Sequence, residues 1–257
     1  MAILEHSGHD FDRLRARWES FAKQESWDLT IISEEAGYPV MAIENKAAKE
    51  EIGGGVYLSA GVHGDECAPV WALLEWAENR GRELSETGRP FTVMPCLNPY
   101  GLVENTRKDH RGVDLNRSFH DTGVPMIAAW QKFLEGTCFD VAVNLHEDYD
   151  VGGIYLYELA RSASIGDHLL SACEGIIPRE TAADVDGSDF ENGLMQREID
   201  EAEMRRVVGE DLDGWPEAIW LFLDHATDAF TFETPSEMAL EHRIKAHRSF
   251  LDAVVKY

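Results

Sequence analysis

Val56-Tyr-Leu-Ser-Ala-Gly-Val-His-Gly-Asp-Glu66 is an apolar run that breaks at Gly61 and then presents a histidine and a carboxylate three residues apart. The run reads as a buried strand, with the glycine marking its end. An imidazole and a carboxylate so spaced, just beyond a strand, can close on one metal ion. A second apolar run, Phe139-Asp-Val-Ala-Val-Asn-Leu-His146, also ends in a histidine. Two histidines and one glutamate form the ligand set of a catalytic zinc that keeps a fourth position for water. His63, Glu66 and His146 are therefore the candidate metal ligands, for one Zn2+ per chain. Glu233, in Phe230-Thr-Phe-Glu-Thr-Pro235, is an acidic group near another strand end that could work that water.

The rest of the chain sets limits on this reading. Its 257 residues, 44% of them hydrophobic, suit one catalytic domain spanning 1–257. No apolar stretch approaches the roughly 18 residues of a membrane span. The first ten residues lack the basic-then-apolar layout of a secretory signal, so a cytoplasmic protein is expected. Cys67, Cys96, Cys138 and Cys173 are widely spaced with no Cys-x-x-Cys pair, which argues for reduced thiols rather than a thiolate metal site. A net charge of −25 repels nucleic acid and anionic membranes, so neither is an expected partner, and the acidic surface otherwise reads as a solvated one.

Strand-like and helical stretches alternate, predicting an α/β fold: a central, mostly parallel or mixed twisted sheet flanked by helices on both faces. Phe11, Leu14, Trp18 and Phe21 recur at helical spacing behind Asp10, a natural N-cap. Residues 29–33, 38–43 and 91–97 read as strands, and 68–79 as a helix. Residues 46–51 and 98–101 read as turns, and 124–134 and 160–177 as helices. Residues 184–192 read as an acidic loop, 218–223 and 229–233 as late strands, and the segment from Leu240 to Val254 as a closing helix.

A third cluster joins the first two: Asn98-Pro-Tyr-Gly-Leu-Val-Glu-Asn-Thr-Arg107, then Gly112-Val-Asp-Leu-Asn-Arg-Ser-Phe119. Taken in order with His-Gly-Asp-Glu, the strand histidine and Phe-Glu-Thr-Pro, these segments resemble the zinc carboxypeptidase family over about residues 56–235. The Gly-Leu and Thr-Arg spacing is similar to the small bacterial branch that includes murein peptide amidases. The resemblance implies that His63, Glu66 and His146 hold zinc and that Asp114 receives the N–H of His63. It implies that Arg107 steadies the oxyanion, where an always-charged fork of donors serves well. Asn116 and Arg117 would grip a terminal carboxylate, and Glu233 would be the general base.

Two departures stand out. The digestive members carry an arginine between the metal histidine and glutamate, where this chain has Asp65. They also use a mobile tyrosine upstream of the base. Tyr155 and Tyr157 lie nearer His146, and Trp215 occupies the approximate region instead.

The expected activity is zinc-dependent hydrolysis of an amide or peptide bond next to a free carboxylate. The alternative is an N-acyl amino acid amidohydrolase of the desuccinylase/aspartoacylase type, which shares His-Gly-x-Glu, Asp-Leu-Asn-Arg and Glu-Thr-Pro. A third reading is a non-catalytic, metal-stabilised peptide binder, whose mark would be loss of the base or of a ligand. Asp184-Val-Asp-Gly-Ser-Asp189 lacks the complete ligand series of a calcium loop. The segment from Asp184 to Met195 instead suits a rim that selects the substrate side chain. Glu147 and Asp148 could tune the site, bind a second metal or face water.

Overall fold

The apolar runs become neighbours in one sheet. A computed structural model describes residues 7–50, 54–185, 188–196, 201–210 and 214–257. Its strands are β1 (Asp28–Glu35), β2 (Tyr38–Glu44), β3 (Val56–Ala60), β4 (Phe91–Met94), β5 (Phe139–Asp148), β6 (Tyr155–Ala160), β7 (Asp184–Val185), β8 (Ser188–Asp189), β9 (Leu194–Gln196) and β10 (Ala226–Pro235). The helices are α1 (Phe11–Glu25), α2 (Lys46–Glu50), α3 (Cys67–Glu86), α4 (Pro99–Glu104), α5 (Pro125–Phe133), α6 (Gly166–Ser171), α7 (Glu201–Glu210), α8 (Glu217–Asp224) and α9 (Leu240–Val254).

Eight strands form a mixed sheet in the order β1-β2-β4-β3-β5-β10-β6-β9, while β7 and β8 make a small hairpin. The centre is parallel: β4, β3, β5 and β10 run the same way, which brings the ends of all the motif-bearing strands to one edge. β2 and β6 are antiparallel to their inner neighbours. The expected α/β class is borne out.

Strand alternation sorts the side chains into two layers. On β5, Val141, Val143 and Leu145 pack with α1, α3 and α9, and Phe230 and Phe232 of β10 join the same cluster. Ala142 and Ala229, the intervening residues, pack instead with residues of α5 and α8. His146 and Glu233 continue this second set by parity; Glu147 and Thr234 continue the first.

Several local readings hold, and others are corrected. Asp10 caps α1, its side chain accepting the Arg13 N–H at 3.0 Å. Residues 218–223 are not a strand but most of helix α8. Its buried Ala218, Leu221 and Phe222 follow the three-and-four spacing of a helix, and a short apolar run looks alike in either state. Residues 46–50 are helical rather than a turn, because Asn45 accepts the Ala48 N–H at 3.0 Å and so supplies the start. Residues 99–104 are likewise helical, with Asn98 as cap and Pro99 in the first turn. The expected helix over 160–177 shrinks to α6, because residues 155–160 extend as β6 along β10. The acidic loop contains the β7–β8 hairpin, and its residues 186–187 lie outside those described. Among the described residues, no helix is long and apolar enough to cross a membrane. All four cysteines are free thiols.

Candidate metal centre

The loop after β3 is fixed before any side chain is considered. Gly61 takes a left-handed φ of 64°, and its carbonyl accepts the Asn98 N–H at 2.8 Å. Gly64 donates to the Thr106 carbonyl at 3.1 Å, and a Cβ on Gly64 would stand 1.9 Å from the carbonyl carbon of Gly101. The two glycines let the His-Gly-Asp-Glu loop lie directly on the Asn-Pro-Tyr-Gly turn. Asn98 secures that turn from both sides, accepting from Gly101 at 2.9 Å and donating to the Arg107 carbonyl at 3.2 Å. Arg107 is thereby delivered beside His63.

The three ligand candidates converge. His63, Glu66 and His146 are 3%, 2% and 3% exposed, and one ligand atom from each lies within 4.8 Å of the others. Nδ1 of His63 is 2.5 Å from Glu66 Oε1, and Nδ1 of His146 is 3.0 Å from Glu66 Oε2. Behind His63, Nε2 has no hydrogen-bond partner among the described residues but sits 3.4 Å from Asp114 Oδ1. The other Asp114 oxygen accepts from Arg107 Nε at 2.9 Å. Asp114 is itself fixed by the Asn116 N–H at 3.0 Å, so one carboxylate aligns the histidine and the arginine together.

The electrostatics of this cluster call for a cation. Burial disfavours a charged imidazole at His63, yet the carboxylates of Glu66 and Asp114 outweigh it and raise its pKa to about 9. His146 is also raised, against its burial, by Glu66 and Glu233. Burial opposes ionisation of Glu66 too, but both histidines hold it well below the usual carboxylate range. Two imidazole nitrogens aimed at one buried carboxylate are what a divalent metal needs, and such an ion would supply the positive charge with both rings neutral. A carboxylate at the far nitrogen of His63 is the usual way to orient a ligating ring. The residues present fit the metal.

A cavity of about 360 Å³ opens on this cluster. Glu233 lines it, 8% exposed, directly across the parallel pair from His146. Burial pushes its carboxyl up to about 8, with Glu66 and Asp148 adding to the rise and His146 opposing it. Arg107, Asn116 and Arg117 line the same cavity. Asn116 Oδ1 accepts the Glu217 N–H at 2.9 Å, which leaves its Nδ2 as the donor for the cavity. The Arg117 carbonyl accepts from Trp215 N–H at 2.8 Å. Every candidate residue read from the sequence thus lies in or against one cavity.

Other residues there carried no motif. Tyr155, Tyr157 and Leu159 of β6 face the cavity in register with Glu233, Thr231 and Ala229 of β10. The Tyr155 hydroxyl donates to Asp148 Oδ2 at 2.7 Å. Trp215 is not among the described lining residues; it braces the Arg117 segment and leans on the His120 ring at 6.0 Å. Met195 contributes from the expected rim, whose Phe190 ring packs on Tyr155 and Tyr157 at 5.3 and 5.2 Å. Glu147 and Asp148 both border the cavity, but their side chains part company: Asp148 accepts from Tyr155, while the Glu147 carboxylate pairs with Arg243 behind the sheet. Glu217, at the start of α8, is fully enclosed and accepts the Tyr57 hydroxyl at 2.6 Å; burial raises it to about 7.

Residues 52–125 match the family model of the succinylglutamate desuccinylase/aspartoacylase catalytic domain. No curated protein sequence matches the chain. Among solved structures, a candidate metallopeptidase from Shewanella amazonensis SB2B superposes with a TM-score of 0.82 at 20% identity, over 97% of this chain and 93% of its own. Another from Shewanella denitrificans OS217 gives 0.81 at 16% identity, over 96% and 90% of the two chains. A metallo-carboxypeptidase from Burkholderia cenocepacia gives 0.67 at 14% identity, covering 95% of this chain and 68% of its own. The fold is that of the metallopeptidase and carboxypeptidase structures, and the zinc-carboxypeptidase resemblance carried by the motifs is supported by the desuccinylase/aspartoacylase match over residues 52–125.

Proposed function

We propose that this chain is a zinc-dependent hydrolase of the carboxypeptidase type, cleaving an amide bond next to a free carboxylate. The observation that carries the reading is the convergence of His63, Glu66 and His146 beside the buried Glu233, in a cavity that also holds Arg107 and Arg117. Held by the first three residues, zinc would supply a Lewis acid that polarises a carbonyl and makes water nucleophilic at neutral pH. Glu233, whose carboxyl favours its proton more than usual, suits a group that takes a proton and returns it to the leaving amine. Arg107 stands where charge would develop, its Nη1 3.3 Å from His63 Nδ1 and its direction set by Asp114. Arg117 and the Nδ2 of Asn116 would hold the substrate carboxylate.

The register of the cavity floor supports a substrate class. Row by row away from the metal, β10 and β6 present Glu233 with Tyr155, then Thr231 with Tyr157, then Ala229 with Leu159. These rows span about 13 Å at a strand's rise of about 3.3 Å per residue. Ala218 and Ile219 of α8 also line the cavity. Among the described lining residues the only arginines or lysines are Arg107 and Arg117, and Arg107 is committed to Asp114. One free cation serves one carboxylate, which disfavours an acidic side chain on the residue bearing it, and the Ala229–Leu159 row with Ala218 and Ile219 favours an apolar one.

The second reading is an N-acyl amino acid amidohydrolase, favoured by the family match over 52–125. It uses the same residues and differs in the group on the acyl side. Peptides and N-acyl amino acids ending in the same apolar residue, offered side by side to zinc-restored protein, separate the two by relative turnover. No hydrolysis of either class, in a protein shown to hold zinc, overturns the hydrolase reading.

A further inference from the structure

Directly behind the cavity, on the opposite face of the sheet, lies a buried polar layer that the proposed chemistry does not use. His146 pairs with Glu233 across β5 and β10, and the next residues, Glu147 and Thr234, pair one step on. Alternation turns the first pair to the cavity and the second to α3 and α9. There Glu147 Oε1 meets Arg243 Nη1 at 2.5 Å, and Thr234 Oγ1 meets His247 Nε2 at 3.0 Å. Arg243 and His247 stand one turn apart on α9. Glu147 and Arg243 are each 4% exposed.

Glu147 makes two further bonds, and both reach the metal-ligand loop. Its Oε2 accepts the Ala68 N–H, in the first turn of α3, at 2.8 Å. Its own N–H donates to Glu66 Oε2 at 3.1 Å. The segment carrying His63 and Glu66 is thus tied to the strand carrying His146 by two hydrogen bonds through one residue. The anchor for that residue comes from the C-terminal helix. An ion pair at this depth returns little net stability, because desolvating both charges offsets their attraction. Its geometry accounts for it better than its energy.

We propose that Glu147, held by Arg243, is a positioning residue that sets the placement of Glu66 against His146 and thereby the metal affinity. The Glu147 carboxylate is turned to Arg243 and Ala68 rather than to the three candidate ligands, and Arg243 does not line the cavity. The inference rests on the metal-centre reading, and the test separates the two. Zinc affinity of the full chain is measured by competition with a chromogenic chelator, and thermal midpoints are recorded with and without zinc.

Glu147→Gln keeps the shape and an acceptor for Ala68 but releases Arg243. It is expected to bind zinc about tenfold to a hundredfold more weakly, and the zinc-induced rise in midpoint shrinks accordingly. A merely structural role would lower both midpoints equally and leave the rise intact. Phe250→Leu, in the core of α9, serves as that control and is expected to leave zinc affinity unchanged. Should Glu147→Gln not fold, Arg243→Lys, which keeps the charge but loses the fork, is expected to weaken zinc several-fold. A folded variant within twofold of the unaltered protein overturns the inference alone; an unaltered protein that takes up no zinc overturns the metal reading with it.

Discussion

His146 and Glu233 are direct partners across the parallel β5–β10 pair, so the candidate ligand and the candidate base are spaced by the sheet ladder itself. No loop intervenes between them. Their separation is therefore as rigid as the central strands, and the two roles can be separated by substitution. Glu233→Gln is expected to keep zinc binding while lowering turnover about a hundredfold to ten-thousandfold. Zinc content and turnover measured on the same sample check it; a variant that keeps full turnover removes Glu233 from the chemistry.

The two cavity arginines are expected to fail differently. Arg107 stands beside His63 and is aligned by Asp114, so Arg107→Met should lower kcat by about a hundredfold to a thousandfold. Arg117 offers a carboxylate a charge-assisted pair worth about 1.5–3 kcal/mol. Arg117→Met should therefore act mainly on KM, raising it roughly ten- to a hundredfold. Steady-state kinetics on one substrate compare the two, and an identical kcat and KM pattern would contradict the assignment.

Side-chain preference should follow the last row of the cavity floor. Leu159, 6% exposed, faces Ala229 across the strand pair. Leu159→Arg places a second cation there and is expected to shift preference from apolar towards acidic C-terminal residues. Competition between substrates ending in leucine and in glutamate reads the change. A preference for acidic residues in the unaltered protein would sink the apolar assignment while leaving the hydrolase reading standing.

Stability should carry the mark of His247. Burial, reinforced by Arg243, pushes its pKa down to about 3, from an ordinary value near 6.5. The unfolded chain takes up a proton below about 6.5, whereas the folded one does not until about 3. Above that window the residue contributes no pH dependence. Within it, stability falls as pH falls, by up to about 1.4 kcal/mol per pH unit from this group. His247→Gln should flatten that limb relative to the unaltered protein, in urea unfolding at pH 7 and pH 5. Parallel curves for the two would refute it.

Gly64→Ala tests the contact between the two motif loops. The added methyl would strike the Gly101 backbone, which has no side chain to swing aside. The cost is expected to exceed the roughly 1–3 kcal/mol typical of overpacking, with zinc affinity falling as His63 and Arg107 separate. Thermal unfolding and chelator competition measure both; a variant as stable and as metal-loaded as its parent would contradict the geometry.

What could be read from the sequence was the chemistry at strand ends. His63, His146 and Glu233 each close an apolar run, and a polar residue ending a buried strand is conspicuous without any structure. Asp114, Asn116 and Arg117 stood out only through their motif. What could not be read depends on partners far along the chain. Helix α8 reads as a strand in the sequence because a run such as Ala-Ile-Trp-Leu-Phe-Leu223 is apolar at both periods. With it went Ile219 as a cavity residue and Glu217 as the donor that orients Asn116. Tyr155, Tyr157 and Leu159 became visible only once β6 was paired to β10. The bond from Arg243 to Glu147 joins residues 96 apart, and no local pattern announces it.

The alternation along β5 and β10 also makes the centre intolerant of length change. Neighbouring positions serve opposite compartments: Glu233 the solvent-linked hollow, Thr234 the sealed interior. Deleting one residue early in β10 would exchange them, sending a carboxylate against His247 and Phe250 of α9 and a hydroxyl to the cavity. Point substitutions along these strands keep the two compartments apart, whereas a change of length is expected to be tolerated only in the loops between them.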